Sequence, residues 1–389
     1  INIMSNINSS QNYFLDTKPH YAILDGLRGA AALMVLWYHV FEGFAFAKGS
    51  IVETFNHGHI AVDFFFMLSG FVISYAYDDR WKTPQSSSKK LTIGTFFKRR
   101  LIRLHPMLII GAFIGLITFL IQGGVKWDGS TTPFHWTMIA FVLTLFFIPA
   151  YPGAPYDIRG NAEMFPLNGP SWSLFFEYIG NIIYALFIRR LSNKILSLFT
   201  ILIGLLWTWF VAFDISGYDM IGIGWTLDSA NFFGGLLRML FPFSLGMLLA
   251  RNFKPVKIKG IFWIATIILF TLFSIPYIPK TANISINGIY ELCCIMLVFP
   301  ILVWLGASGT TKPFTAKICN FLGDISYPLY IVHYPIMYLF YAWLIDNQSY
   351  SLKETWLAVI LVMIINIALA YACLKLYDEP IRRRLSKLL

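Results

Sequence analysis

Apolar residues in this chain come in blocks of about twenty, the length an α-helix needs to cross a hydrocarbon core of roughly 30 Å. No other feature restricts the fold as much. Inside lipid every backbone N–H and C=O must be satisfied within the spanning structure, so blocks of this length are expected to be helices. Hydrophobic residues make up 57% of the 389-residue chain and charged residues 13%, against ~45–50% and ~25% in soluble domains, which excludes a string of water-soluble units. The fold class expected is all-α: a polytopic integral membrane helical bundle.

Ten transmembrane helices are expected, near 27–47, 58–77, 105–122, 171–188, 194–213, 231–250, 260–278, 286–305, 327–346 and 355–376. The segment 136–149 is shorter and ends at Pro149, which suits a re-entrant or interfacial piece. Charge orients the chain. The stretch 78–104 holds Arg80, Lys82, Lys89, Lys90, Lys98, Arg99, Arg100 and Arg103, so it is read as cytoplasmic. With ten spans the clusters around Arg189, Arg251, Lys312 and Arg382 join it, and both termini are cytoplasmic. Counting 136–149 as a crossing would put every later cluster outside. The net charge of +10 is thereby assigned to cytoplasmic loops, with membrane lipids and no nucleic acid as partner. Residues 1–20 form a polar tail without signal-peptide features, with Met4 near the natural start. The membrane domain covers 21–384, and 385–389 is a short basic tail. Cys293, Cys294, Cys319 and Cys373 show no metal-ligand spacing and are read as free thiols. The location expected is the cell inner (cytoplasmic) membrane.

Ionisable groups inside spans cost ~2.5–3.5 kcal/mol or more at the bilayer centre and are functional candidates by default. Arg28 and His39 lie eleven residues apart in the first span; at ~100° per residue they fall within ~20° of one face, ~16.5 Å apart along the axis. Asp63 sits at a depth close to that of His39, near enough for an imidazole–carboxylate contact that would fix the histidine tautomer. His57 and His59 with Asp63 imitate a metal site, but the two histidines fall in a short wet loop and no metal is expected. Arg100 and Arg103, at i and i+3, form a cytoplasmic-end site for a polyphosphate, next in depth to Arg28. Glu177 follows Pro170-Ser171-Trp172-Ser173 in the outer third of the fourth span. His333, between Pro328 and Pro335 with Tyr330 one turn back, suggests a broken helix lining a cavity. Arg238 is expected to pair with an acid such as Glu291. Each of these also has an ordinary packing or anchoring reading.

Leu24-Asp25-Gly26-Leu27-Arg28-Gly29 followed by His39 resembles the Arg-x10-His motif of the acyltransferase 3 family of integral membrane acyltransferases. Asp63-Phe64-Phe65-Phe66-Met67-Leu68-Ser69-Gly70, Arg100-Leu-Ile-Arg103 before Pro106, Trp172-Ser173-Leu174-Phe175-Phe176-Glu177, Tyr330-x-x-His333-x-Pro335 and the terminal Glu379-Pro380 before arginines are similar to further motifs of that family. Any one is weak; six in order over roughly 20–384 are specific. Gly180-Asn181 departs from an aromatic pair common after the glutamate, which touches the acceptor pocket.

The resemblance implies transfer of an acyl group, most often acetyl, from a cytoplasmic acyl-CoA donor to a hydroxyl of an extracytoplasmic or lipid-linked glycan. It places His39, Asp63 and Glu177 in the catalytic set and Arg28, Arg100 and Arg103 on the phosphates of acetyl-CoA. Trp172, Ser173, Tyr330 and His333 would bind the acceptor. Many relatives carry a fused periplasmic hydrolase-like domain; none is expected here, so the chain either acts alone or relies on a separate periplasmic partner protein. Direct attack with His39 as base and a covalent acyl-histidine both remain open. A secondary transporter would also use intramembrane Arg, His and Glu, but should show inverted repeats. A lipid-linked glycosyltransferase would want paired carboxylates in an outer loop, where 48–57 offers only Glu53.

Overall fold

The computed structural model describes residues 20–82, 91–280 and 284–388. The polar tail up to residue 19, Met4 included, lies outside them, as do Lys89, Lys90 and Leu389. The chain is a polytopic helical bundle in which nine stretches among the described residues are long and apolar enough to cross a membrane. Helices α1 (Ala22–Lys48), α2 (Ala61–Lys82) and α3 (Ile93–Ile121) are followed by a short α4 (Phe134–Leu145). Then come α5 (Ser171–Leu186), α6 (Asn193–Ala212), α7 (Ser229–Arg251) and α8 (Ile261–Ser274). Helices α9 (Ile286–Cys293) and α10 (Phe299–Ser308) join through a π turn into one span. After α11 (Pro313–Asn347), α12 (Leu352–Cys373) continues through a second π turn into α13 (Glu379–Ser386).

The expected span 260–278 is α8, whose 14 helical residues reach only ~21 Å at ~1.5 Å per residue. It nevertheless links the two ends of the bundle. Ile258 and Lys259 before it pair in parallel with Gly309 and Thr310, just ahead of α11. At its other end Phe273 accepts a 3.0 Å hydrogen bond from the backbone of His57, and Tyr277 donates to Phe55, between α1 and α2. Protein contacts satisfy this non-helical backbone, which is what makes the shorter helix tolerable.

Helix α4 is an apolar helix of 12 residues, shorter than a span. Thr132 before it bonds to Gly124, just past the end of α3. Phe147, at φ 58°, turns the chain beside Tyr178 of α5 with ring centroids 5.0 Å apart. The following loop then ties Ala150 to Met164 and Met164 to Trp225 in the loop before α7. The short segment expected at 136–149 is thus a helix that ends in a turn before Pro149.

Small residues set which helix faces meet. A side chain on Gly70 would stand 1.9 Å from the Phe243 carbonyl oxygen, and one on Gly246 would stand 2.1 Å from that of Met67, so α2 and α7 approach backbone to backbone. Gly29 does the same for α1 against Leu322 of α11, at 2.2 Å. The expected break around His333 is absent: α11 runs unbroken over Pro328 and Pro335. Proline removes the N–H that would bond four residues back. The carbonyl freed by Pro335 belongs to Ile331, and Asn168 Nδ2 donates to it at 2.9 Å, so that carbonyl keeps a donor.

Candidate active site

Helix α1 turns Arg28 and His39 toward α11. Arg28 Nε donates to Ser326 Oγ at 2.9 Å and Nη2 to the Gly323 carbonyl at 3.3 Å, with Asp25 completing its contacts at 2.9 Å. Some three turns along, the His39 ring meets the rings of His333 and Tyr334 at 5.1 and 4.8 Å.

His39 has a partner that the sequence reading missed. Its Nδ1 lies 2.6 Å from Glu42 Oε2, one turn along the same helix. Glu42 also accepts hydrogen bonds from Tyr341 at 2.8 Å and Tyr334 at 3.2 Å. A carboxylate on Nδ1 puts the proton on that nitrogen and leaves Nε2 as the lone-pair edge. Nε2 has no hydrogen-bond partner among the described residues, and 13% of the side chain is exposed. The i, i+3 spacing of His39 and Glu42 was the available signal. So was Tyr334, Tyr338 and Tyr341, spaced to share one face of α11.

Asp63 is not that partner. It is fully buried, and both its oxygens are taken by Arg238, with contacts of 2.8–3.1 Å. Arg238 also donates to the carbonyls of Ile223 and His59, and its guanidinium lies 5.1 Å over the Trp172 ring. Rotation of α2 toward α7, imposed by Gly70 and Gly246, carries Asp63 there. The expected Arg238–Glu291 pair is therefore replaced. Glu291, also fully buried, sits 2.6 Å from His57 Nδ1 and 3.0 Å from His59 Nε2 and accepts from the Ile221 backbone. His57 and His59 thus face Glu291 while Asp63 faces Arg238, and the His-x-His-x3-Asp set does not converge.

Glu177 stands apart from His39. It accepts from Arg100 Nη2 at 2.6 Å and from Ser69 at 2.8 Å. Arg103 lies within electrostatic reach of Arg28, Arg100 and Arg382 and has no hydrogen bond or ion pair among the described residues. The three arginines expected to form one site are together. Between them and His39, Ser173 Oγ meets Tyr330 OH at 2.6 Å, and the Tyr330 ring lies 6.0 Å from that of His333. His333 directs Nδ1 at the Leu329 carbonyl, 3.0 Å away; its Nε2 is buried without a hydrogen-bond partner among the described residues.

Beyond His39 the loop between α4 and α5 adds Arg159 and Glu163, also missed because a loop has no periodicity to read. Arg159 is 1% exposed, stacks 3.5 Å over the Tyr338 ring and donates to the Pro166 carbonyl and Gln122. Glu163 accepts from Tyr338 OH. Burial pushes its carboxyl up to about 7, against the opposing pull of the Tyr338 hydrogen bond and Arg159.

Together these features define a polytopic membrane protein with a histidine–carboxylate pair inside its helical bundle and an arginine cluster nearer one face. The Acyl_transf_3 family, described as an acyltransferase domain, matches residues 21–375, and the chain belongs to it. The chain is similar to the peptidoglycan O-acetyltransferase OatA of Listeria monocytogenes, with 28% identity over 81% of this chain and 49% of that protein. It also resembles the acyltransferase MdmB of Streptomyces mycarofaciens, with 31% identity over 44% of this chain and 40% of the other. Protein 2 in the picA locus of Rhizobium radiobacter matches at 31% identity over 45% of this chain and 85% of its own. The chain spans about half the length of the Listeria enzyme. No solved structure matches.

Proposed function

We propose that this chain is a membrane O-acyltransferase that moves an acetyl group from acetyl-CoA to a hydroxyl of an extracytoplasmic or lipid-linked glycan. The observation that carries the reading is the 2.6 Å His39–Glu42 pair on the side of α1 that also presents Arg28. The face holding the basic clusters is the cytoplasmic one, both termini lie there, and the bundle spanning 21–384 sits in the cell inner membrane. An anionic donor comes from that face, and Arg28, Arg100 and Arg103 hold its phosphates. Glu177 is assigned to positioning Arg100 rather than to the reacting atoms, and Asp63 to holding Arg238 beneath Trp172.

The acceptor hydroxyl enters from the other face. Ser173 and Tyr330 wall its site, and the unpartnered Nε2 of His333 accepts a hydrogen bond from it. His39 Nε2 removes the hydroxyl proton as the oxygen attacks the thioester carbonyl. Glu42 stabilises the imidazolium that forms. The C–S bond then breaks, and the imidazolium returns the proton to the departing thiolate, leaving an ester, a thiol and a restored base. A glycan acceptor is supported by the relative named for peptidoglycan. Mass spectrometry of surface glycans from cells with and without the gene tests this. One acetyl mass is expected only with the gene, and only with His39 intact. Identical glycans in both would refute it.

A further inference from the structure

The transfer site leaves the Glu379-Pro380 run and its trailing arginines without a task. Helix α13 packs against α3, which carries Arg100 and Arg103. The π turn Leu374–Asp378 that joins it to α12 buries Asp378, and Asp378 accepts from Arg382 Nη1 at 3.0 Å. Arg382 lies within electrostatic reach of Arg103, and its Nε is buried without a hydrogen-bond partner among the described residues. The arginine cluster therefore continues from α3 onto α13. Beside it opens a cleft of about 470 Å³ lined by Lys375, Glu379, Pro380, Arg383, Arg384 and Lys387. That volume lies in the ~300–1,000 Å³ range of small-molecule sites. Glu379 is the one acid of the lining, and it is already paired with Lys375. Guanidinium groups on a helix end that also carries lysines favour phosphate oxygens, which they grip bidentately.

The geometry points to a phosphate-binding cleft on α13 that takes the nucleotide end of the thioester donor, with Arg28, Arg100 and Arg103 holding the phosphates nearer the thioester. It rests on the acyl-CoA reading above. In that arrangement the diphosphate lies by α3 and the ribose 3′-phosphate reaches the cleft. The same phosphate chemistry is offered by anionic lipid headgroups, and the test separates the two sources.

Full-length protein in neutral phosphatidylcholine nanodiscs is titrated by calorimetry with acetyl-CoA and with 3′-dephospho-acetyl-CoA. Wild type should prefer the 3′-phosphorylated donor by about ten- to a hundredfold, the worth of a charge-assisted contact. Arg383→Gln with Arg384→Gln and Lys387→Gln, all on an exposed surface, should erase that preference while binding the dephospho form as wild type does. An unchanged preference in the variant overturns the cleft. Repetition in nanodiscs containing phosphatidylglycerol provides the lipid arm. If the variant alters only its retention of anionic lipid and leaves donor affinity unchanged, the cleft is a headgroup site and the proposal fails. If wild type binds neither nucleotide in either lipid, the donor reading itself falls, and this inference with it.

Discussion

Glu42→Gln should slow acyl transfer by roughly ten- to a hundredfold with little effect on donor affinity. Glu42 holds His39 Nδ1 at 2.6 Å and accepts from Tyr341 and Tyr334. A hydrogen bond to a charged group is worth about 1.5–3 kcal/mol, and each ~1.4 kcal/mol of transition-state stabilisation is tenfold in rate. With His39 as the proposed base, the bond would reach full strength only once the imidazole carries the hydroxyl proton, so its loss should fall on kcat rather than on substrate binding. Glutamine keeps an oxygen for the two tyrosines, and the fold should survive. An amide N–H turned toward Nδ1 would also draw the proton onto Nε2, the nitrogen that has to be free, which pushes the loss to the upper end. The assay is thiol release at saturating donor and acceptor in nanodiscs, with thermal unfolding as the control on folding. A well-folded Glu42→Gln protein with kcat within about twofold of wild type would refute the dyad.

Four further outcomes are expected. Asp63→Ala leaves Arg238 buried without its counter-charge and should cost roughly 3–5 kcal/mol of stability; thermal unfolding would show it, while Asp63→Leu with Arg238→Met should be far milder. Gly70→Ala drives a methyl into the Phe243 carbonyl at 1.9 Å and should cut the yield of folded protein sharply, read by size-exclusion chromatography. Arg103→Lys should weaken acetyl-CoA binding about tenfold in calorimetry, because a lysine lacks the planar fork. Glu163 titrates near 7 when folded against an ordinary value of 4.5. The folded state holds that proton more tightly, so its contribution to stability is fully present below about 4.5 and is lost as pH rises through about 7. Melting temperature should fall from pH 5 to 8, and Glu163→Gln should flatten that fall.

What could be read in advance follows from period and length. Arg28 and His39 share a face because eleven residues come within ~20° of whole turns, whatever the neighbours are. The shortness of 136–149 was legible from its length, and the nine longer stretches were legible from their apolar runs. Helix rotation was not legible. Comparable depth suggested Asp63 for His39, but depth says nothing about which way a helix is turned, and Gly70 and Gly246 turn α2 toward α7. The actual partner stood one turn away on the same helix. Prolines at 328 and 335 suggested a break because a proline interrupts the ladder; Asn168, from a distant loop, fills the gap left by Pro335. Arg159 and Glu163 come from a loop whose path depends on Met164 meeting Trp225, a contact no local pattern announces.

On the proposed function, this bundle joins a thioester on one face to a hydroxyl on the other through His39. Sealed proteoliposomes holding the protein in one orientation, with labelled acetyl-CoA on the side of the basic clusters and a glycan acceptor on the opposite side, test it directly. Label is expected as an ester on the acceptor and free thiol on the donor side in equal amounts, both lost in His39→Ala. Label that crosses without forming ester, or transfer that persists without His39, would contradict it.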